Sequence, residues 1–282
     1  MQVNKKMVKN TIKKVYNIEK NKRIEINSAP KRAPLNYKEL NEQIHQAINS
    51  GYNKIILNDV CGQRFIGASL QGDLELEING VPGNDLGIFM DGPKITVNGS
   101  CEDQAGNTMN SGTLIIHGDG GDVIGLSARG GKIYVKKDVG YRVGIHIKEY
   151  ERKYPVIIIG GTARDFLGEY MAGGLVGVLG LKFLPDGDII ENEHSICGNE
   201  LGTGIHRGKI LLRTDEDLEN KLGVGAKLFE SCEEDLKQIE PYLKEFCEIF
   251  YIPFELIGKK PFKVVKPISK RPFGGNYCGQ IV

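Results

Sequence analysis

Four side chains near the middle of the chain, His146, Lys148, Glu149 and Glu151, bring a base, a cation and two acids close together. Such a set can serve acid–base work, in which one group takes a proton and a neighbour gives one. The plainer reading is a hydrogen-bonded corner followed by a solvated loop, and the same loop also reads as a docking surface. A second set, His117, Asp119 and Asp122, falls within one short stretch, with His194 and His206 further on. It lacks the His and carboxylate spacing of a metal centre and reads as scattered surface polar groups. Asp73, Asp91 and Asp122 recur near glycine-rich corners but not at matching positions, which weakens a polysaccharide-cleaving reading. The run VIIIGGTARDFLG (156–168) imitates a strand followed by a dinucleotide loop. Its spacing fails G-x-G-x-x-G, and the next segment is broken by glycine rather than helical. None of the six cysteines forms a C-x-x-C pair, so a zinc ribbon or an iron–sulfur cluster has no local support. Buried reduced thiols are the simpler expectation. Cys278, near the end, has no adjacent base or second thiol to activate it.

The elements that must position these residues repeat. Glycine-centred phrases such as GQRFIGASLQG (62–72), GNDLGIFMDG (83–92), GDVIGLSARGG (121–131) and GNELGTGIHRGK (198–209) recur at about twenty residues. Each is followed by a short apolar strand: DLELEI, KITV, TLIIH, KIYV, VIII, LVGVL or KILLR. Repeats of this length signal stacked coils, each burying its apolar face against the next. Aligned on a central corner, the copies read Gly67, Gly87, Asn107, Gly125, Gly144, Gly168 and Gly202. The wide intervals before Gly168 and Gly202 predict insertions at 148–155 and 184–199. Glycine is expected at each corner because it permits positive φ, which β-branched residues resist, and because stacked backbones leave no room for a side chain. No three-hexad rhythm is present, so a right-handed parallel β-helix fits better than a left-handed hexapeptide helix.

The chain has 282 residues, enough for one elongated domain or two compact ones, and divides into three. Residues 1–60 hold a basic arm and an α/β cap, in which Asn36 reads as the N-cap of a helix with Leu40, Ile44, Ala47 and Ile48 on one face. The arm, 1–35, reads as solvated or as a peripheral helix. Residues 61–213 form the β-helix. Residues 214–282 hold a helical segment and an extended tail that wraps the coils or reaches a partner. Asp215, Glu216 and Asp217 read as a helix start, and Leu236, Ile239, Leu243, Phe246, Cys247 and Phe250 form an apolar stripe in a helix that Pro241 should kink or restart. The net charge of +1 argues against nucleic-acid binding. No apolar run reaches the length of a membrane span and no secretory signal opens the chain, so a cytoplasmic location is expected.

The phrases GNDLGIFMDG (83–92), GNTMNSG (106–112), KDVGYRVGIHIKEY (137–150) and above all VIIIGGTARDFLGEYMAGG (156–174) resemble the GXGXG domain of glutamate synthase. The resemblance covers roughly residues 36–213. It implies a non-catalytic scaffold subunit beside a synthase subunit carrying FMN and iron–sulfur clusters and a glutaminase subunit, which together make glutamate from glutamine and 2-oxoglutarate. Cofactors and catalytic cysteine then lie in the partners, and no catalytic, cofactor or metal residue carries over to this chain. The structural residues are the corners Gly67, Gly87, Gly125, Gly144, Gly168 and Gly202; His146, Lys148, Glu149 and Arg164 are interface candidates. Arg164 stands where the family phrase has glycine, so it either strains a positive-φ corner or pairs with Asp165 or Glu169. The repeats are also similar to the formylmethanofuran dehydrogenase subunit of the GXGXG type, a scaffold in another complex. An independent β-helix enzyme acting on a carbohydrate or acyl substrate is the remaining alternative.

Overall fold

A computed structural model describes residues 22–30 and 33–268. Within it, strands β1 (Arg23–Asn27), β2 (Lys54–Cys61), β3 (Glu75–Val81), β4 (Asp91–Asn98), β5 (Ser111–Ile116), β6 (Lys132–Val135), β7 (Val156–Ile159), β8 (Ala172–Val178) and β11 (Arg207–Arg213) lie side by side in one parallel ladder. Strands adjacent in the sheet are successive passes of one winding chain, so the molecule is mainly β and a parallel β-helix. The register stacks like on like. Leu57, Ile78, Val97, Ile116, Val135, Ile159, Val178 and Leu212 form one continuous inward column. Two residues upstream, Ile55, Leu76, Ile95, Leu114, Ile133, Ile157, Val176 and Ile210 form another, and nearly all of both are fully buried. Strand periodicity puts alternate residues on one face, so these columns build the core.

The outer face changes along the stack. In β3 and β4 it carries Glu75, Glu77, Lys94 and Thr96 and faces solvent. From β5 onward it carries Ile115, Tyr134, Val156, Ile158 and Leu211, which are buried under helix α2 (Glu233–Phe250). That is why β7 reads VIII, apolar at every position, while β3 alternates. Gly177 of β8 permits the approach, since a Cβ there would lie 2.9 Å from Ile239 Cδ1 of α2. Tyr134 Oη donates to Glu245 at 2.8 Å and Lys132 Nζ reaches the same carboxylate at 2.7 Å.

Both ends of the coil stack are closed. Residues 23–27 of the expected arm instead form β1, paired in parallel with β2; residues 1–21 lie outside the described part. Asn36 caps α1 (Tyr37–Asn49) by accepting from the Lys38 N–H at 2.9 Å, and Leu40, Ile44, Ala47 and Ile48 plug the first coil. At the far end β13 (Phe262–Pro267) pairs antiparallel with β11 and with β12 (Ala226–Glu230). Ala226 and Val265 finish the core. The sheet thus continues into the tail segment, which joins it through residue 267; residues 269–282, with Cys278, lie outside the described part. Between β8 and β11 a hairpin of β9 (Leu181–Phe183) and β10 (Ile189–Glu191) occupies the second expected insertion.

Three expectations for the C-terminal region are corrected. The helix begins at Glu233, not at Asp215; residues 219–221 form only a single 3-10 turn. Glu233, Glu234 and Asp235 supply the acidic first turn that Asp215–Asp217 suggested. Pro241 neither ends nor restarts the helix. It and Lys237, whose carbonyl loses its partner, both lie on the exposed side, where water takes the bond. Leu236 leaves the apolar stripe and is 40% exposed.

Two buried charges tie the cap down. Arg213 is buried and fully satisfied: it donates to Glu191 at 2.9 and 2.6 Å, to Leu179 O at 3.0 Å, to Ile257 O at 2.9 Å and to Leu256 O at 2.7 Å. Asp235 is buried between Lys209 of β11 at 2.7 Å and Lys266 of β13 at 2.9 Å. Burial alone would raise its pKa, but the hydrogen bonds from Lys209, Lys266 and Cys232 outweigh that and hold it well below the usual carboxylate range. No helix among the described residues is long and apolar enough to cross a membrane.

Asp235→Asn is expected to cost about 3 kcal/mol at pH 7, because it leaves two lysines facing a lost charge. A depressed folded pKa contributes stability that is complete above the unfolded value of about 3.9 and lost as pH falls through the folded one. The gap between wild-type and variant urea midpoints should therefore narrow as pH falls below that value.

Candidate functional site

The corners between strands are not simple glycine turns. Each holds three left-handed residues at alternate positions, with a glycine in the middle: Phe65-Gly67-Ser69, Asp85-Gly87-Phe89, Gln104-Gly106-Thr108, Val123-Gly125-Ser127, Arg142-Gly144-His146, Phe166-Gly168-Tyr170 and Glu200-Gly202-Gly204. The third centre is Gly106, not Asn107, and from Gly87 to Gly144 the interval is then an even nineteen residues. Alternating handedness turns successive N–H groups in opposite directions along the stack. Val123 N–H reaches Tyr141 O in the following coil at 2.7 Å, Gly125 N–H reaches Ala105 O in the preceding one at 2.8 Å, and Ser127 N–H reaches Ile145 O at 2.9 Å. The other corners repeat the pattern, so a second hydrogen-bonded ladder runs beside the sheet.

Positive φ is therefore not what reserves the central position for glycine. Val123, a β-branched residue, sits at φ 60. Left-handed backbone costs an ordinary residue about 1–2 kcal/mol, which the ladder bonds offset. Where the corner is tightest the centre must be glycine because a side chain from the strand of the next coil reaches over it. A Cβ at Gly106, Gly125 or Gly168 would stand 2.5, 2.6 or 2.4 Å from an isoleucine Cδ1 of β6, β7 or β11.

The sequence candidates fall into separate places in this frame. His146 is a left-handed corner residue whose ring stacks on Tyr170 of the next coil, 5.2 Å between centroids at 12°. Lys148 is exposed two residues on and bridges to Ala172. The Glu149 carboxylate accepts the Gly174 N–H at 2.9 Å, so it serves the corner and is not a free acid or base. Glu151 is exposed in the loop, with φ 55. Arg164 is exposed on the opposite shoulder of the arc, away from His146 and Lys148.

Of the second set, His117 packs edge-on against Phe250 at 5.1 Å, and burial, then Lys136, lowers its pKa. Asp119 and Asp122 are not scattered surface groups. Each accepts a backbone N–H of the next coil: Asp119 from Asp138 at 3.2 Å, Asp122 from Tyr141 at 2.8 Å. Asp103 does the same for Asp122 at 2.8 Å, Asp138 for Thr162 at 2.7 Å and Asp165 for Asn199 at 2.7 Å. Asn58, Asn79 and Asn98 form a third ladder with side-chain bonds of 2.8 Å. The signal that finds these residues is recurrence at the coil length, nineteen residues for Asp103 and Asp122 and for Asp119 and Asp138.

The same ladder explains Arg164. Gly121, Gly140 and Gly198 stand above Asp103, Asp122 and Asp165, and a Cβ at any of them would overlap the carboxylate, at 2.4, 1.9 and 2.0 Å. Below Arg164 the matching residue is Tyr141, which presents no carboxylate, so a side chain fits. Arg164 has no positive φ and pairs with neither expected acid: Asp165 accepts from Asn199, and Glu169 pairs with Arg142.

Gly160 and Gly161 are likewise packing glycines. A Cβ would meet Lys136 O at 2.0 Å or Asp138 Oδ1 at 2.2 Å, and their N–H groups bond Val135 O and Lys137 O. No amide is left to cradle a phosphate. Cys101, Cys197 and Cys247 are buried free thiols, pushed by burial to about 12, 12 and 11, and so stay protonated; Cys61 and Cys232 are exposed. Ser195 accepts from Lys221 and donates to Glu216 at 2.6 Å, on an exposed loop where Glu216 also holds the Ile196 N–H.

Comparison with known proteins adds three findings. The family described as "GXGXG motif" matches residues 38–257. An uncharacterized protein of Methanocaldococcus jannaschii is 51% identical over 254 residues, covering 88% of this chain and 95% of that protein. A chain from the formyltransferase/hydrolase complex of Methylorubrum extorquens, solved with methylofuran, has the same fold with a TM-score of 0.54 at 20% identity, covering 75% of this chain and 72% of that one.

Two variants test this frame. Gly125→Val should cost about 3 kcal/mol and Gly144→Val about half that, because the nearest atom to a new Cβ is at 2.6 Å in the first and 3.2 Å in the second. Gly140→Ala should be less harmful in an Asp122→Ala background than alone, with a favourable coupling of about 1 kcal/mol. Denaturation midpoints of the four proteins of that cycle measure it.

Proposed function

We propose, because the chain belongs to the GXGXG family, that it is a structural subunit of a multi-subunit enzyme, holding partners in place while they perform the chemistry. The observation that supports this reading is where its polar corner groups go. Asp103, Asp119, Asp122, Asp138, Asp165 and Glu149 spend carboxylate oxygens on backbone N–H groups of the next coil. Side chains that would do chemistry on an enzymatic β-helix here fasten coil to coil.

The finer reading is the GXGXG component of a glutamate synthase, beside a subunit with FMN and iron–sulfur clusters and a glutaminase subunit. What supports it is the run 156–174, which builds β7, the packing glycines Gly160 and Gly161 and the Gly168 corner. A second reading, a subunit of the formylmethanofuran dehydrogenase type, is favoured by the fold likeness to a chain of a formyltransferase/hydrolase complex. Both readings give this chain the same task. In both, His146 and Lys148 belong to the contact surface, and Arg164 to a separate one on the other shoulder.

Native mass spectrometry of the assembly purified from its own cells, with flavin and iron analysis, tests the proposal. The expected result is a hetero-complex whose cofactors reside in the partner subunits. A glutaminase subunit supports the first reading and a formyl-transferring subunit the second. A chain that purifies alone, or that turns over a substrate unaided, refutes the scaffold role.

A further inference from the structure

We infer that the shoulder of the corner ladder around His146, Lys148 and Tyr170 is the docking surface for an acidic segment of a partner protein. The inference rests on the scaffold reading and names the surface and its complement. Four residues beyond each central glycine the chain leaves the corner, and these positions stack from coil to coil. Their N–H groups form successive rungs: Asp91 to Leu70 O, Asn110 to Met90 O, Arg129 to Met109 O, Lys148 to Ala128 O and Ala172 to Ile147 O. In the last coil the position four beyond Gly202 is His206, whose N–H bonds Met171 O; Arg207, one residue on, pairs with Ala172. The column is polar or acidic in the early coils, with Gln71, Asp91 and Asn110, and carries cations in the late ones, Arg129 and Lys148, with Arg207 one position beyond it.

Coils stack about 4.8 Å apart, so Arg129 and Lys148 stand one above the other, and Arg207 lies two coils beyond Lys148, past Ala172 and one position along. All three are exposed, and among the described residues none enters an ion pair. The loop after Lys148 adds exposed Arg152 and Tyr150, the latter 51% exposed. Alongside runs an aromatic step. His146 stacks on Tyr170, and Tyr170 lies across Gly204, where a Cβ would be 2.4 Å from its ring. Tyr170 is thus fixed from both sides yet 44% exposed. Exposed tyrosine and arginine are among the residues that contribute most at protein interfaces.

The rest of the molecule narrows the approach. The coil ends are closed by α1 and by β12 and β13, and the outer face of β5 to β11 is covered by α2. The outer face of β2 to β4 mixes both signs, Lys54, Glu75, Glu77 and Lys94, with Lys54 paired to Glu75 at 3.5 Å. The shoulder is different: its late coils expose the cations Arg129, Lys148, Arg152 and Arg207, with Glu151 the acid exposed in the same loop, on a chain whose net charge is only +1. Carboxylates of a partner fit it. Bidentate arginine contacts would give geometry, and the charge would speed encounter and make it salt-sensitive.

The test uses the full chain in two arms. In the first, Arg129→Glu/Lys148→Glu/Arg207→Glu and, as control, Lys94→Glu are expressed in the native cells and their complexes weighed. The triple variant should lose the partner that the wild type and Lys94→Glu retain. In the second, the purified wild-type chain is titrated with a fluorescent Glu/Asp-rich peptide at low and physiological salt. Binding should weaken with salt and fall about tenfold or more in the triple variant, with Lys94→Glu unchanged. Circular dichroism of the variants confirms that exposed charge changes leave the coils folded. A complex that survives the triple reversal overturns the inference while leaving the scaffold role standing. Equal loss with Lys94→Glu, or preference for duplex DNA over the peptide, also overturns it. A wild-type chain that binds the peptide at this surface but has no partner in cells separates the failure of the scaffold role from that of the surface.

Discussion

The structure depends on a single geometric device: a corner in which left- and right-handed residues alternate. A normal turn would point its amides outward, and the coils would be joined only through their strands. Alternation points the corner N–H groups up and down the stack instead, so neighbouring coils are bonded at the corner as well as in the sheet. At Gly67, Gly106, Gly125 and Gly168 the corner is tight enough that a strand of the next coil folds its isoleucine over the central residue, and only glycine leaves space. Strain in the left-handed flanking residues is thereby offset by bonds that exist only when the next coil is in place. Such a corner is stable in a stack and nowhere else, which is the cooperative logic of repeat proteins.

How much of this was legible in the sequence depends on which constraints act over one coil and which act between two. The strands and the insertions were legible from composition within a coil, and the corner glycines from their recurrence at the coil length, although the clash that demands them comes from the next coil. The stripe on α2 was legible from Ile239, Leu243, Phe246 and Phe250 for the same reason. The register at the third corner was not. Asn107 and Gly106 are adjacent, both tolerate left-handed backbone, and only the clash with Ile133 tells which is central. Nor was the aspartate ladder legible. Asp122 has no partner near it in sequence; its partner is Tyr141, one coil later. The glycine demanded by each aspartate also stands in the following coil, so Arg164 looked anomalous until its lower neighbour, Tyr141, was known. A helix start at Asp215 was read from an acidic cluster alone, and Glu216 is instead spent on Ser195 and the Ile196 N–H of the loop beside it.

The charged groups divide by the same test. Arg213 and Asp235 are buried and answer to several partners each, so they hold the cap against the last coils. Breaking either leaves charge stranded in a dry place. Among the described residues, Arg129, Lys148 and Arg207 of the late shoulder enter no ion pair. Burial with satisfaction marks architecture.

The two insertions show this division most clearly. The hairpin of β9 and β10 puts Leu181 into the cluster beneath α2, and Glu191 grips Arg213. It closes the sheet side of the molecule. The loop at 148–155 is anchored on that side by Tyr154, whose hydroxyl accepts from Gln238 at 2.8 Å, and by Pro155, against which Gly174 packs. Its tip points the other way, with Tyr150 and Arg152 exposed. The corner bonds on either side continue undisturbed, from Arg142 to Asp165 and from Phe166 to Asn199, so neither insertion costs the ladder a rung. A coil stack can therefore vary in its excursions without changing its spine. One excursion has been used to complete the fold, and the other adds exposed Tyr150 and Arg152 to the flank that carries Arg129 and Lys148.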